Sequence, residues 1–301
     1  MISRAGFVAV VGRPNSGKST LLNTIIGENL ALVSHKANAT RKTMNFIISH
    51  TNKHHEQCQI IFVDTPGIHK KEKLLNQFML DSALKAMSDC DVCVFLSAVG
   101  DSLKYYEEFL NLYPKKHILV LSKIDTITHK DLAVEISKYQ PYAERFLALI
   151  PLSTKKNLNI TQLLDSVSEN LPHSNALFDE DDLTTHTMRE ITKEMIRQSV
   201  FENLSDEIPY ESDVLISSFI HKQNINEIFA KLYVRKHSQK IITIGKNGQT
   251  IKRISMQARQ KIEELLQERV FLKIDVVVNK DWFNDIKTLK TLGYHIDKST
   301  K

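Results

Sequence analysis

The residues most able to do chemistry open the chain. Gly12-Arg13-Pro14-Asn15-Ser16-Gly17-Lys18-Ser19-Thr20 contains the spacing G-x-x-x-x-G-K-S, the pattern of a phosphate-binding loop. Consecutive backbone N–H groups at a helix N-terminus make a cradle for anions. The two glycines let the backbone curl close to the phosphates. Lys18 would then reach the β- and γ-phosphates, and the Ser19 hydroxyl would hold Mg²⁺. Further along, Asp64-Thr65-Pro66-Gly67 gives D-x-x-G at the end of an apolar run. A carboxylate there can hold Mg²⁺ through a water, and the Gly67 N–H can meet the γ-phosphate. Thr40, in a stretch with little apolar periodicity, is a candidate second Mg²⁺ ligand or an ordinary surface threonine.

Two later segments carry base-reading chemistry. In Ser122-Lys123-Ile124-Asp125 a carboxylate can accept from guanine N1–H and N2–H₂, a donor pair that adenine lacks. The Lys123 stem can cover the base. In Ser153-Thr154-Lys155 a backbone N–H near Thr154 can donate to guanine O6. Nearer the C-terminus lies Gly245-Lys246-Asn247-Gly248, or G-x-x-G, inside a window from Ile228 to Ile262 that holds no acid. Lys231, Arg235, Lys236, Lys240, Lys246, Lys252, Arg253, Arg259 and Lys261 all fall in it. A G-x-x-G turn that opens a helix lets phosphates approach the backbone, as in a clamp for single-stranded nucleic acid. A solvated basic face is the plainer reading.

These groups need elements to hold them. Phe7–Val11 reads as a buried parallel strand and Thr20–Gly27 as a helix. Apolar runs at Met44–Ser49, Gln59–Asp64, Val92–Ala98, His117–Leu121 and Phe146–Leu152 predict further strands, with helical patterns between several of them. Such alternation predicts a doubly wound parallel sheet. Its ligand crevice lies at the C-terminal strand ends, where the motifs fall. Asn157–Leu171 reads as a last helix, and the polar 172–187 as a linker. The order then becomes α-β-β-α-α-β, from the Met188–Leu204 helix to the Val270–Val278 strand. Trp282 reads as a core or docking residue, with base stacking as the alternative.

Length and composition agree. At 301 residues with 42% hydrophobic content the chain suits two globular domains. No apolar run approaches the ~18 residues of a membrane span, and the start on a strand leaves no room for a signal peptide. Cys58, Cys90 and Cys93 lack zinc-site spacing and read as reduced core residues, in keeping with a cytoplasmic protein.

The phosphate loop, Thr40, Asp64–Gly67, Ser122–Asp125 and Ser153–Lys155 together resemble the translation-factor-related GTPases, and within them the Era family. The second half, around Gly245–Gly248, resembles a type II KH domain, again as in Era. The resemblance implies an α/β fold, with a doubly wound P-loop GTPase domain (1–171), a linker (172–187) and a smaller α+β type II KH domain with a C-terminal extension (188–301). It implies hydrolysis of GTP to GDP and phosphate with Mg²⁺ on Ser19, Thr40 and Asp64, the last through a water. Lys18, Thr40 and Gly67 would act on the γ-phosphate, with residues 12–20, 64–67, 122, 123, 125 and 153–155 around the nucleotide.

The implied partners are the 3′ end of small-subunit ribosomal RNA and the assembling small subunit. RNA would be bound through Lys236, Lys240, Gly245, Lys246, Asn247, Gly248, Lys252 and Arg253. A monomer with peripheral contact to the inner membrane is expected. Asn15 resembles the asparagine with which some relatives recruit K⁺. Two departures stand out. Ser122 replaces the family's asparagine, which ties the base loop to the phosphate loop and approaches guanine N7, so weaker nucleotide binding is expected. Ile68 follows D-x-x-G where Ras-like enzymes place a glutamine that orients water, so slow intrinsic hydrolysis is expected. An RNA-binding scaffold with a structural nucleotide site is the alternative, and an ATPase is opposed by Asp125.

Overall fold

The structure is a computed structural model that describes residues 2–27, 40–67, 74–205 and 207–294. These residues fold as two compact units. The first runs as far as Thr185, and the second takes in residues 74–78 and the chain from His186 onward.

The first unit is an α/β sheet structure. Its elements are β1 (Arg4–Gly12), α1 (Lys18–Ile26), β2 (Met44–Thr51), β3 (Gln57–Asp64), most of α2 (Leu74–Asp89), β4 (Val92–Ala98), α3 (Lys104–Leu112), β5 (His117–Ser122), α4 (His129–Ser137), β6 (Phe146–Pro151) and α5 (Ile160–Glu169). The strands lie in the order β2-β3-β1-β4-β5-β6. Val8–Val11, Ile60–Phe62, Val92–Leu96 and Ile118–Leu121 are all buried, which explains why their sequences are continuous apolar runs rather than alternating ones. All neighbouring pairs are parallel except β2 with β3, which is antiparallel. A wholly parallel sheet was expected. The connection 52–56 is too short for a crossover, so β2 returns beside β3 as a hairpin. Because β1 sits between β3 and β4, the strand order reverses at β1. The crevice beyond its C-terminal end is where such a sheet binds ligands.

Residues 172–185 fall within the first unit. Ile47 N–H donates to the Leu183 carbonyl at 2.9 Å, and the Thr184 hydroxyl donates to the Asn45 carbonyl at 2.5 Å. The segment thus covers the outer edge of β2, an edge that would otherwise present unpaired backbone groups. Gln59, fully buried, accepts from the Leu177 and Phe178 N–H groups and donates to the Phe178 carbonyl.

The second unit comprises α6 (Met188–Asn203), β7 (Asp213–Lys222), β8 (Ile225–Val234), α7 (His237–Ile244), α8 (Gln249–Leu266), β9 (Val270–Val278) and α9 (Ile286–Thr291). β8 is central, antiparallel to β7 and parallel to β9. Thr187 caps α6 in a reciprocal pair with Glu190, satisfying two backbone donors at the helix start. Ile254, Ala258 and Ile262, four apart on α8, are fully buried, as one face of a helix at that spacing must be. Trp282 is also fully buried, and its Nε1 donates to the Glu211 carbonyl at 3.0 Å. Tyr294 donates to Asp213 at 2.6 Å, and Asp213 lies 3.4 Å from Lys193. The buried charges of this unit are therefore paired.

Candidate functional site

The phosphate loop joins β1 to α1. A Cβ on Gly12 would stand 2.4 Å from the Leu96 carbonyl of β4, so only glycine lets the loop leave the sheet here. Gly67 lies against Pro14, where a Cβ would meet the proline ring at 3.0 Å. The D-x-x-G and phosphate-loop segments are thus in contact. Thr65, beside Asp64, is buried and donates to the Val10 carbonyl at 2.7 Å. Arg13 reaches residues outside the loop. Its guanidinium pairs with Asp101 at 2.7 Å and stacks over the Tyr105 ring.

Lys18 is buried, and its Nζ donates to the Gly12 and Arg13 carbonyls at 3.1 and 3.0 Å. Burial pulls its ammonium down to about 8, against the opposing pull of Asp64. Burial pushes Asp64 up to about 6, opposed by Lys18 and by hydrogen bonds from Ser19 and Thr40. Each charge is poorly solvated and would gain from a ligand of opposite sign, a phosphate for Lys18 and a cation for Asp64.

Ser19, Thr40 and Asp64 come from three separate segments and converge. The Ser19 hydroxyl donates to Asp64 Oδ2 at 2.8 Å and lies 3.1 Å from the Thr40 hydroxyl, itself 3.5 Å from that carboxylate oxygen. Asp64 Oδ1 is buried with no hydrogen-bond partner among the described residues. Two hydroxyls and a carboxylate are hard oxygen donors, the set that Mg²⁺ takes. The residues present therefore fit that ion.

At the C-terminal ends of β5 and β6 the base-reading residues meet. The Ser153 hydroxyl donates to Asp125 Oδ1 at 2.6 Å. That bond, helped by the Lys155 and Lys156 charges, holds the Asp125 carboxyl below its ordinary range. The Ser153 oxygen also accepts from the Lys156 N–H, which shapes the turn carrying Thr154.

Ser122 had been expected to fall short of the phosphate loop. It is buried, and its Oγ donates to the Ser16 carbonyl at 2.6 Å. Lys123 Nζ donates to the Asn15 carbonyl at 2.6 Å. Asn15 takes a left-handed backbone (φ 61°). Base loop and phosphate loop are thus tied at two points, so Ser122 keeps the tie that the family's asparagine makes. The phosphate loop beyond β1 comes within reach of the end of β5, although β4 lies between the two strands, which spacing along the chain does not reveal. Ile68, the departure expected to slow hydrolysis, lies outside the described residues.

In the second unit Gly245–Gly248 joins α7 to α8. A Cβ on Gly245 (φ 74°) would stand 2.3 Å from the Thr250 hydroxyl. Lys246 and Asn247 are exposed at the tip, as are Lys236, Lys252 and Arg253 beside it, with Lys240 half-buried. Arg253 is steadied by a 2.6 Å bond to Asn203. Not all of the basic window serves this face. Arg235 pairs with Glu211 and stacks on Phe283, and Lys261 pairs with Glu202 at 2.8 Å. The apolar Ile241 and Ile242 of α7 are 60% and 55% exposed. They offer an apolar wall beside the basic turn.

Comparisons with known proteins cover both units. Residues 7–123 match the family model described as 50S ribosome-binding GTPase, and residues 195–283 match the KH domain model. GTPase Era of Helicobacter pylori is 54% identical over 294 residues, 98% of each chain. GTPase Era of Campylobacter concisus is 44% identical, covering 97% of this chain and 100% of the relative. Among solved structures, Aquifex aeolicus Era bound to GDP.AlF4- superposes with a TM-score of 0.92 at 30% identity, over 97% of this chain and 100% of that one. A structure of Era in complex with MgGDPNP and nucleotides 1506-1542 of 16S ribosomal RNA gives the same TM-score and identity, over 98% and 100% of the two chains.

Proposed function

The chain belongs to the Era family of GTPases, and we propose that it acts as a GTP-driven switch. Its second unit would bind the 3′ end of small-subunit ribosomal RNA while the small subunit assembles. The observation that carries the switch is the convergence of Ser19, Thr40 and Asp64 beside Lys18. Support for the RNA partner comes from the exposed basic G-x-x-G turn and from the Era complex with a 16S ribosomal RNA segment.

The reaction is GTP + H₂O to GDP + phosphate. Lys18 leaves the Gly12 and Arg13 carbonyls for the β- and γ-phosphate oxygens, while the N–H groups of Arg13 and of residues 15–20 surround the phosphates. Ser19, Thr40 and, through a water, Asp64 would hold Mg²⁺, which when bound would supply positive charge against that building on the phosphate oxygens. Gly67 N–H marks the γ-phosphate, so its loss releases Thr40 and Gly67 and changes the state of their loops. Asp125 takes the guanine N1–H and N2–H₂ donors, with Lys123 over the base and a backbone N–H near Thr154 toward O6. In the second unit Lys236, Lys240, Lys246, Lys252 and Arg253 meet phosphates, and the wall of Ile241 and Ile242 lies against bases.

Phosphate release by the purified chain, with and without RNA, tests this reading. Lys18→Ala should lower turnover by about a hundredfold or more, since it removes charge from a buried electrostatic site. Unchanged turnover in that variant would remove the assignment of the active site. Absence of turnover in the parent would favour a scaffold with a structural nucleotide. The same assay in K⁺ against Na⁺ tests whether Asn15 holds a potassium ion at the transferring phosphoryl group. We place the protein in the cytoplasm as a monomer. No helix among the described residues is long and apolar enough to cross a membrane, so the proposed inner-membrane association is peripheral; sedimentation with anionic vesicles checks it.

A further inference from the structure

We infer that this chain recognises guanine without contacting N7, because residue 122 gives its only hydrogen to the phosphate loop. The inference rests on the reading of Asp125 and Ser153–Lys155 as the guanine site. A guanine base offers donors at N1 and N2 and acceptors at O6 and N7. Asp125 can take both donors, and a backbone N–H can serve O6. N7 needs a further donor from the base loop.

Ser122, Lys123, Thr126 and Ser153, side-chain donors of that loop and its neighbour, are directed elsewhere. A serine hydroxyl has one hydrogen to donate. That of Ser122 lies on the 2.6 Å bond to the Ser16 carbonyl, an acceptor only, in a buried setting. Turning it toward a base would strand that carbonyl, and an unpaired buried polar group is unfavourable. Lys123 Nζ is held at the Asn15 carbonyl, 2.6 Å away. Thr126 donates to the Lys123 carbonyl at 2.8 Å, and Ser153 to Asp125 at 2.6 Å. Residue 122 is thus a positioning residue that fixes the base loop on the phosphate loop. Specificity falls on the N1, N2 and O6 edge alone. A guanine nucleotide that merely lacks the N7 acceptor is then as good a ligand as the parent.

The test is calorimetric competition on the full chain with Mg²⁺, using GDP, 7-deaza-GDP and ADP. The two guanine nucleotides should bind within about twofold of each other, and ADP far more weakly. Ser122→Ala should weaken GDP and 7-deaza-GDP by one common factor, about three- to tenfold for a lost hydrogen bond, leaving their ratio unchanged. Ser122→Asn, whose amide has two hydrogens to donate, should favour GDP over 7-deaza-GDP severalfold. A parent chain that binds 7-deaza-GDP more than about fivefold worse than GDP overturns the inference. If that gap closed in Ser122→Ala, the serine itself would be reading N7; if it persisted, another donor would be. ADP binding as well as GDP would instead overturn the guanine reading on which the inference rests.

Discussion

Asp125 is held ready to accept. The Ser153 hydroxyl bonds one carboxylate oxygen and keeps the group ionised, with the charges of Lys155 and Lys156 adding to the effect. A fixed, charged acceptor suits guanine's paired donors. Asp125→Asn keeps the shape and can still accept from Ser153, but it presents an N–H₂ where guanine also donates. Xanthine offers a carbonyl at that position. The variant should therefore prefer XDP to GDP by about tenfold or more, the scale on which a site rejects a base that leaves buried polar groups unpaired. Competition between the two nucleotides reads this directly. An unchanged preference for GDP would mean that a different residue reads the base.

Among the elements, the turn between α7 and α8 depends most on a few residues. Gly245 is required by the approach of Thr250, and Asn247 takes a left-handed backbone (φ 52°) that asparagine tolerates well. Lys246 and Asn247 are exposed, so changing both to Asp should leave the core and GTP binding intact. Two carboxylates would then face RNA phosphates, and single-stranded ribosomal RNA binding should fall by at least a hundredfold at moderate salt. Lys252→Ala should weaken binding mildly and reduce the salt slope by about one, as one lost phosphate contact does. Filter binding across a salt series distinguishes the two effects. Full RNA affinity in the double Asp variant would reduce G-x-x-G to a structural turn.

At the scale of the whole molecule, acid should act through the core of the first unit. His117 is buried among Tyr106, Phe109 and Tyr113, with Nε2 3.0 Å from the Tyr106 hydroxyl. Burial pulls its pKa down from 6.5 to about 4. Between those values the unfolded chain binds the proton and the folded chain does not, so stability rises with pH across that window. His117 therefore adds nothing to the pH dependence above about 6.5 and progressively destabilises the fold as pH falls toward 4. Asp64, raised from 3.8 to about 6, gives a slope of the opposite sign over an overlapping window, so the His117 contribution is read as a difference. In urea unfolding of the first-unit transition from pH 4 to 7, the stability of the parent should rise more with pH than that of His117→Gln, even where that variant is less stable throughout. An equal slope in that variant would place the acid sensitivity elsewhere.

The sequence by itself determined the features that depend on neighbouring residues. G-x-x-x-x-G-K-S, D-x-x-G and G-x-x-G are runs whose function lies in their own backbone N–H groups and in conformations that glycine permits. The buried strands were legible because a strand covered on both faces must be apolar throughout. The tertiary structure decided what depends on distant strand ends meeting. Ser122 reaches Ser16 across 106 residues, and a serine suffices because the phosphate loop comes to the end of β5 although β4 lies between β1 and β5. β2 runs antiparallel, and residues 183–184 cover its edge, although their polar composition suggested a linker. The basic window reads as one patch in sequence, yet Glu211 and Glu202, both outside it, take Arg235 and Lys261. A charge's partner is set by distance in space, and composition along the chain carries no record of that distance.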